Sequence, residues 1–148
     1  MLATNIKRIL TVLVVDDSPE MLRYLQFLLE LESYRVETAG NGLEALQRLR
    51  DGCNPDVVLL DIQMPHLDGF CTLKRLLKVR PDLKVIMCSA ISDPTKIQQA
   101  TALGAQAYLT KPVRQLYLTA ALEGCLDSKA EAKPAQAREI PVPAPRLQ

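Results

Sequence analysis

The sequence is short of several features that would mark a particular class of protein. It has one histidine, His66, and six glycines among 148 residues, and it contains neither a histidine-based relay nor a phosphate-binding loop or dinucleotide fingerprint. No apolar run approaches the ~20 residues of a membrane span, and the N-terminal stretch lacks the cleavage site of a signal peptide. The formal net charge of +1 does not indicate nucleic-acid binding. These absences favour a cytoplasmic protein that contacts neither membrane nor nucleic acid.

Cysteine is also scarce, and its spacing argues against a metal-binding finger or ribbon. The four cysteines, Cys53, Cys71, Cys88 and Cys125, include no C-x-x-C pair. We interpret them as reduced thiols in the core or on helix faces, as in a cytosolic protein. With 48% hydrophobic and 24% charged residues, the chain fits one α/β-sized domain that is large enough for a proper core.

Short apolar runs alternate with helical patterns along most of the chain. The runs predict strands within residues 10–15, 34–39, 56–60, 83–89 and 106–110, and the second is half polar, which is typical of a sheet edge. Helical spacing follows each run, with a last helix expected over 113–126. Strict alternation predicts an α/β fold, a parallel sheet with helices on both faces.

Helix ends are marked by residues with known capping preferences. Ser18 and Asp93 each precede a proline, Asp68 precedes the third helix, and Asn41 with Glu44 holds capping-box positions. Gly104 is expected to end the fourth helix.

The composition changes near Asp127. Residues 127–148 are rich in proline and alanine with mixed charge, and they cannot bury enough apolar surface to offset the entropy of ordering. We expect a folded domain over 1–126 and a disordered tail or linker over 127–148. No DNA-binding or catalytic domain is expected to fold within that segment.

Chemically active side chains gather at the predicted carboxyl ends of the strands. Asp16 and Asp17 follow the first strand, Asp61 follows the third, Ser89 ends the fourth, and Lys111 lies just past the fifth. In open parallel sheets ligands bind at this edge. If the strand order is 2-1-3-4-5, the three acids lie together, flanked by Ser89 and Lys111.

Three converging carboxylates repel one another, since a like-charged pair ~4 Å apart costs about 4 kcal/mol at an effective dielectric of 20. A hard cation with oxygen ligands, typically Mg²⁺, would neutralise them together with the lysine. A carboxylate beside a metal, a lysine and a hydroxyl is suited to attack a phosphoryl group and form an acyl phosphate.

Four segments together resemble the receiver domain of two-component response regulators: "VVDDS", "LLDIQMPHLDG", "CSA" and "LTKP", in order and each just after a predicted strand. The resemblance covers about residues 10 to 126. It implies a doubly wound five-stranded parallel sheet in the order 2-1-3-4-5, the flavodoxin-like (βα)5 three-layer sandwich.

The resemblance also implies roles for the acids. Asp61 is the implied phosphoacceptor and takes part in metal binding. Asp17 is the implied direct Mg²⁺ ligand, Asp16 holds the ion through water, and the backbone carbonyl of Gln63 is a further ligand.

Other implied roles belong to the second half of the chain. Ser89 is the implied switch hydroxyl and Lys111 the phosphate-binding lysine, joined to Pro112 by a cis peptide bond. Tyr108 is the implied aromatic that changes rotamer on activation.

The function implied is a bacterial signalling switch that is not an enzyme beyond its own phosphotransfer and dephosphorylation. A sensor histidine kinase or a histidine phosphotransfer protein is the implied phosphodonor. A downstream protein is expected to bind the face formed by the fourth helix, the fifth strand and the fifth helix.

Two alternatives stay open. The chain is either a switch by itself or the receiver part of a longer regulator with an enzymatic or DNA-binding output domain. A different class, a Mg²⁺-dependent phosphohydrolase acting through an aspartyl phosphate, is less favoured, because Gln63 stands where a second acid in D-x-D spacing would be. A single aspartate after a strand is more often a cap or turn residue, so the interpretation depends on the joint placement of the acids.

Overall fold

The computed structural model describes residues 8–127, and within them five strands alternate with five helices. The elements in chain order are β1 (Thr11–Val15), α1 (Pro19–Leu31), β2 (Arg35–Ala39), α2 (Gly42–Arg50), β3 (Val57–Asp61), α3 (Gly69–Val79), β4 (Val85–Ser89), α4 (Pro94–Leu103), β5 (Ala107–Thr110) and α5 (Gln115–Asp127). The predicted α/β alternation is therefore confirmed.

All neighbouring strands pair in parallel, in the order β2-β1-β3-β4-β5. The order 2-1-3-4-5 and the doubly wound, flavodoxin-like fold are confirmed, as is the edge position of β2. Because β1 and β3 are adjacent, with Val15 opposite Leu60, the residues that follow them emerge side by side. The strand order thus decides which side chains share the carboxyl edge.

Two apolar layers cover the two faces of the sheet. Alternate strand residues such as Leu13 and Leu60 pack with α2, α3 and α4. The intervening residues, such as Val12 and Leu59, pack with α1 and α5. Strands buried on both faces explain the near-continuous apolar runs in the sequence.

The helix ends follow the local signals closely. Ser18, Asn41, Asp68 and Asp93 are N-caps whose side chains accept backbone N–H groups of the first turn, and Gly104 caps α4 with a φ of 115°. One detail differs from the expected capping box. The Glu44 carboxylate accepts from the N–H of Gly40, at 2.7 Å, and not from the N–H of Asn41.

Other expectations were wrong by small amounts. α5 begins at Gln115, two residues later than predicted, because Val113 is buried in the core beside α1 and Lys111–Pro112 forms the preceding turn. Cys88 and Cys125 are buried in the core and Cys71 is exposed on α3, but Cys53 is half-buried in the connection after α2, neither core nor helix face. None of the four forms a disulfide within residues 8–127.

Two further expectations concern the C-terminal tail and the absence of a membrane span. Of the predicted tail, residues 128–148 lie outside the described part of the chain, so the proposed boundary near 126 stays a prediction. None of the described helices is long and apolar enough to cross a membrane.

Gly69 opens α3 at a point where the backbone leaves no room for a side chain. A Cβ added there would lie 2.3 Å from the carbonyl oxygen of Asp61 and 2.5 Å from the Cα of Ile62. The N–H of Gly69 also donates to the carbonyl of Ile62, at 2.7 Å. This glycine therefore fixes the start of α3 against the end of β3.

We expect Gly69→Ala to lower the free energy of unfolding by about 1–3 kcal/mol, because backbone atoms cannot yield as a flexible side chain does. Urea denaturation followed by circular dichroism measures the change. Gly124→Ala is the matched control, since a Cβ there meets nothing within 4 Å. Because Gly124 is exposed in the interior of α5, that change should raise stability by roughly 0.5–1 kcal/mol. Equal effects of the two substitutions would contradict the steric account.

Candidate functional site

The carboxyl edge of the sheet brings together side chains from four of the five strands. Asp16 and Asp17 follow β1, Asp61 is the last residue of β3, Ser89 is the last residue of β4, and Lys111 follows β5. Parallel strands end at one edge, so residues far apart in sequence become neighbours there.

Three carboxylates converge at this edge. One oxygen from each of Asp16, Asp17 and Asp61 can be chosen so that all lie within 4.8 Å of one another. Asp16 and Asp61 are buried, at 2% and 5% exposure, whereas Asp17 is exposed. Two acids therefore form the floor of the site, and the third lies at its opening.

Lys111 supplies the positive charge that faces the two buried acids. Its Nζ lies 2.8 Å from Oδ2 of Asp16 and 3.6 Å from Oδ2 of Asp61. The lysine is thus shared, with Asp16 as its closer partner, which the sequence did not indicate. The sequence predicts that Lys111 helps to neutralise the acids, but it does not predict which acid lies nearer.

The two buried carboxylates differ in how well they are satisfied. Asp16 accepts the N–H of Ser18 at 2.9 Å in addition to the Lys111 ammonium. Among the described residues, the hydrogen bond that Asp61 accepts is a long one, 3.3 Å, from the N–H of Gln63, beside its more distant contact with Lys111. Of the two buried acids, Asp61 therefore keeps more unused acceptor capacity.

Burial raises the pKa of Asp61 to about 6, against the attraction of Lys111, which lowers it. The charges of Asp16 and Asp17 add to the rise, and the Gln63 N–H opposes it. A carboxylate in this state gains from any cation that approaches it. The same environment acts on Lys111, whose pKa is raised by its bond to Asp16 and the charge of Asp61, although burial opposes this.

The donor set suits a hard cation. Carboxylate oxygens are the ligands that Mg²⁺ accepts, and the ion usually keeps several waters. An exposed Asp17 beside two buried acids offers protein ligands on one side and solvent on the other. The predicted ligand role of the Gln63 carbonyl stays a prediction, since the observed contact of Gln63 is through its N–H.

Ser89 and Tyr108 meet at the backbone of Ile91. The fully buried Ser89 hydroxyl accepts the N–H of Ile91 at 3.1 Å, and the Tyr108 hydroxyl donates to the carbonyl of Ile91 at 2.5 Å. Tyr108 is buried, and burial raises the pKa of its phenol. Sequence reasoning missed this bridging position, because a backbone contact leaves no side-chain signal.

The loop after β3 has its own fixed shape. His66 is exposed with a φ of 72°, and the N–H of Leu67 donates to the carbonyl of Pro65 at 2.8 Å. Asp68 caps α3, as predicted. At the other side of the site, the Lys111–Pro112 peptide bond is cis.

Two surface cavities of about 430 Å³ lie elsewhere, one beside α2 around Cys53 and one around Asp56 at the opposite end of the sheet. Neither includes the acid cluster. The clustered acids, not these cavities, are therefore the chemical site in the described part of the chain.

Residues 12–123 match the family described as "Response regulator receiver domain". One relative is the two-component response regulator ARR10 of Arabidopsis thaliana, 45% identical over 104 residues, which are 70% of this chain and 19% of that protein. Another is the chemotaxis protein CheY of Thermotoga maritima, 33% identical over 112 residues, which are 75% of this chain and 92% of that protein. Several relatives are thus far longer than the segment they share with this chain, which spans about half or less of their length.

A comparison with solved structures gives the same fold. The CheX–CheY–BeF3–Mg²⁺ complex of Borrelia burgdorferi contains a chain that is 28% identical, with a TM-score of 0.76, covering 79% of this chain and 89% of that chain. Sequence match, strand order and the clustered acids all agree, and this chain belongs to the response regulator receiver domain family of two-component signalling.

Proposed function

We propose that this chain is a phosphorylation-activated switch in which Asp61 accepts a phosphoryl group in a Mg²⁺-dependent reaction. The observation that carries the proposal is the state of Asp61. It is a buried carboxylate with one long hydrogen bond, next to two more acids and a shared lysine. The phosphodonor is a histidine kinase or a histidine phosphotransfer protein.

In the proposed reaction an Oδ of Asp61 attacks phosphorus and displaces the donor's imidazole nitrogen, which recovers its lone pair. Asp16, Asp17 and Asp61 would hold Mg²⁺. The bound ion would neutralise negative charge on the phosphoryl oxygens. Lys111 can pair with a second phosphoryl oxygen, because its Nζ already lies between Asp16 and Asp61. The Borrelia relative was solved as a complex with BeF3 and Mg²⁺, which supports a cation at this edge.

The switch follows from the new charge. A phosphoryl group brings about −1.5 to −2 charges and acceptor oxygens. The Ser89 hydroxyl, which accepts from Ile91, keeps its own proton to donate to such an oxygen. Since Tyr108 is bonded to the same Ile91 backbone, movement of this segment reaches α4, β5 and α5. We propose that this face binds the downstream partner.

The wider context of the chain is also a proposal. Relatives far longer than the matched segment support the alternative that this receiver controls an output domain. The phosphohydrolase alternative has less support, since Gln63 is exposed at the D-x-D position and supplies no acid. Multiple turnover on a small phosphate ester would favour it.

Acetyl phosphate with Mg²⁺ should add one phosphoryl group to the wild-type chain and none to Asp61→Asn, because the amide is not a nucleophile toward phosphorus. Intact-mass measurement after acid quench and after alkaline treatment detects the labile adduct. Asp56→Asn, at the opposite end of the sheet, serves as the matched control and should be labelled as wild type. An adduct of equal yield in Asp61→Asn would refute the acceptor assignment.

At neutral pH without divalent cations, Asp61→Asn should raise the free energy of unfolding by about 1–2 kcal/mol, because it removes a buried charge from an acid cluster. The raised pKa of Asp61 also predicts that the ionised carboxylate lowers the free energy of unfolding. The folded state holds the Asp61 proton more tightly than the unfolded chain, so the penalty is absent below ~4, grows as the pH rises toward about 6, and is constant once Asp61 is ionised in both states.

Mg²⁺ should reverse this order, stabilising wild type more than Asp61→Asn. Urea denaturation with chelator and with excess Mg²⁺ compares the two. Asp82→Asn is the control, since its side chain is 87% exposed and far from the cluster, and neither condition should change its stability relative to wild type. Equal stabilisation of wild type and Asp61→Asn by Mg²⁺ would exclude Asp61 as a ligand.

The lifetime of the phosphoryl group should depend on two residues beside the path of the attacking water. In the family these positions lie two residues after the acceptor and two after the switch hydroxyl, here Gln63 and Ile91. The exposed Gln63 amide can orient a water, whereas Ile91 offers no polar group, is stiff, and is held by hydrogen bonds at both its backbone N–H and carbonyl.

Ile91→Lys should therefore speed dephosphorylation several-fold, and by more than Gln63→Ala slows it, since one positioning contact is worth about 1 kcal/mol. The measurement follows the loss of the phosphoryl group from the protein after the phosphodonor is removed, in excess Mg²⁺. Ser92→Lys places the same charge at the exposed neighbouring position and should leave the rate near that of wild type. Unchanged decay in Ile91→Lys would refute this account of the lifetime.

A further inference from the structure

Two helices on opposite faces of the sheet carry local clusters of opposite charge. α3 carries exposed Lys74, Arg75 and Lys78 and has no acidic residue in its span. On the other side of the sheet, the last turn of α1 and its cap carry exposed Glu30 and Glu32, and α1 has no basic residue in that turn. These two clusters lie on opposite faces although the net charge of the chain is only +1.

On α3 the cations form one strip together with an apolar residue. Lys74 and Arg75 lie one turn before Lys78 and Val79, and all four are exposed, so they share one side of the helix. Val79 is 47% exposed. None of the three cations forms an ion pair with another residue in 8–127. We call these four residues the α3 strip.

On α1 the complementary strip is apolar and acidic. Phe27 and Leu31 are 59% and 57% exposed, which is unusual for large apolar side chains, and Glu30 and Glu32 lie beside them. The carboxylates of both acids accept from glutamine amides, and in the described part of the chain neither is paired with a cation. Phe27, Glu30, Leu31 and Glu32 form the α1 strip.

We propose that copies of this chain associate head to tail, with the α3 strip of one copy against the α1 strip of the next. The cations of one strip then face the acids of the other, and Val79 meets Phe27 and Leu31. The two strips have opposite charges, and each includes at least one exposed apolar residue. A second copy of this chain therefore carries the surface that is complementary to each strip.

The placement of the strips decides the form of the assembly. α3 packs on one face of the sheet and α1 on the other, so a molecule cannot join its own two strips. A contact between different surfaces is heterologous, so a dimer keeps one strip free at each end, and further copies add until a ring closes or a filament forms. The association should therefore continue beyond the dimer.

The contact is small, one helix against another, and depends on exposed charges. Such contacts lie at the weak end of protein interfaces and are screened by salt. Sedimentation equilibrium of the full chain should give a mean mass that rises with concentration without a plateau at the dimer. Raising NaCl from roughly 50 mM to roughly 500 mM should weaken the association about fivefold or more.

Two blocked variants test the geometry. The first neutralises the α3 strip with Lys74→Gln, Arg75→Gln and Lys78→Gln. The second removes the α1 strip with Phe27→Gln, Glu30→Gln and Leu31→Gln. Each alone should associate at least about tenfold more weakly than wild type. An equal mixture should form a complex that stops at two copies, because each variant retains the strip that the other lacks.

The matched control removes the same number of positive charges elsewhere, with Arg23→Gln, Arg35→Gln and Arg114→Gln, and should associate at least as strongly as wild type. Far-ultraviolet circular dichroism of every variant checks the fold, which exposed positions should leave intact. A wild-type chain that stays monomeric, a mixture that does not pair, or a control that loses association like the α3-strip variant would each overturn the proposal.

Discussion

The gathering of buried like charges at one edge of the sheet is the constraint on which the site depends. Asp16 and Asp61 end adjacent strands, so the fold that buries the apolar runs also forces two acids together. Lys111 offsets both, but it lies closer to Asp16, which also accepts the Ser18 N–H. Asp61 is left as the acid with the least compensation. The fold thereby leaves Asp61 in an environment where a cation would stabilise its charged form.

The same edge is connected mechanically to the rest of the molecule through short polar contacts. Ser89 ends a strand that is buried on both faces, and its hydroxyl is bonded to the first residues of the connection to α4. The Tyr108 hydroxyl is bonded to that connection from the neighbouring strand. The hydroxyls of Ser89 and Tyr108 are thus both hydrogen-bonded to the backbone of Ile91. At the end of β3, Gly69 likewise links the site to a helix, because the start of α3 packs directly against the backbone of Asp61.

The helical surfaces are chemically distinct from the carboxyl edge. Both faces of the sheet are filled by separate apolar layers, which leaves the outer sides of the helices to carry charge and a few exposed apolar residues. Lys74, Arg75 and Lys78 lie on the outer side of α3, away from the acid cluster at the carboxyl edge.

The sequence by itself determined the elements, because apolar runs, helical spacing and caps such as Ser18, Asp68 and Asp93 act over a few residues. It also determined that acids stand at strand ends. The strand order was implied by the family resemblance and not by the pattern, since pairing of β1 with β3 joins segments some forty residues apart. Only the tertiary structure decided that Lys111 pairs more closely with Asp16 than with Asp61, that Glu44 bonds Gly40, and that Ile91 links Ser89 to Tyr108. These contacts depend on distances of a few tenths of an ångström between segments that only packing brings together.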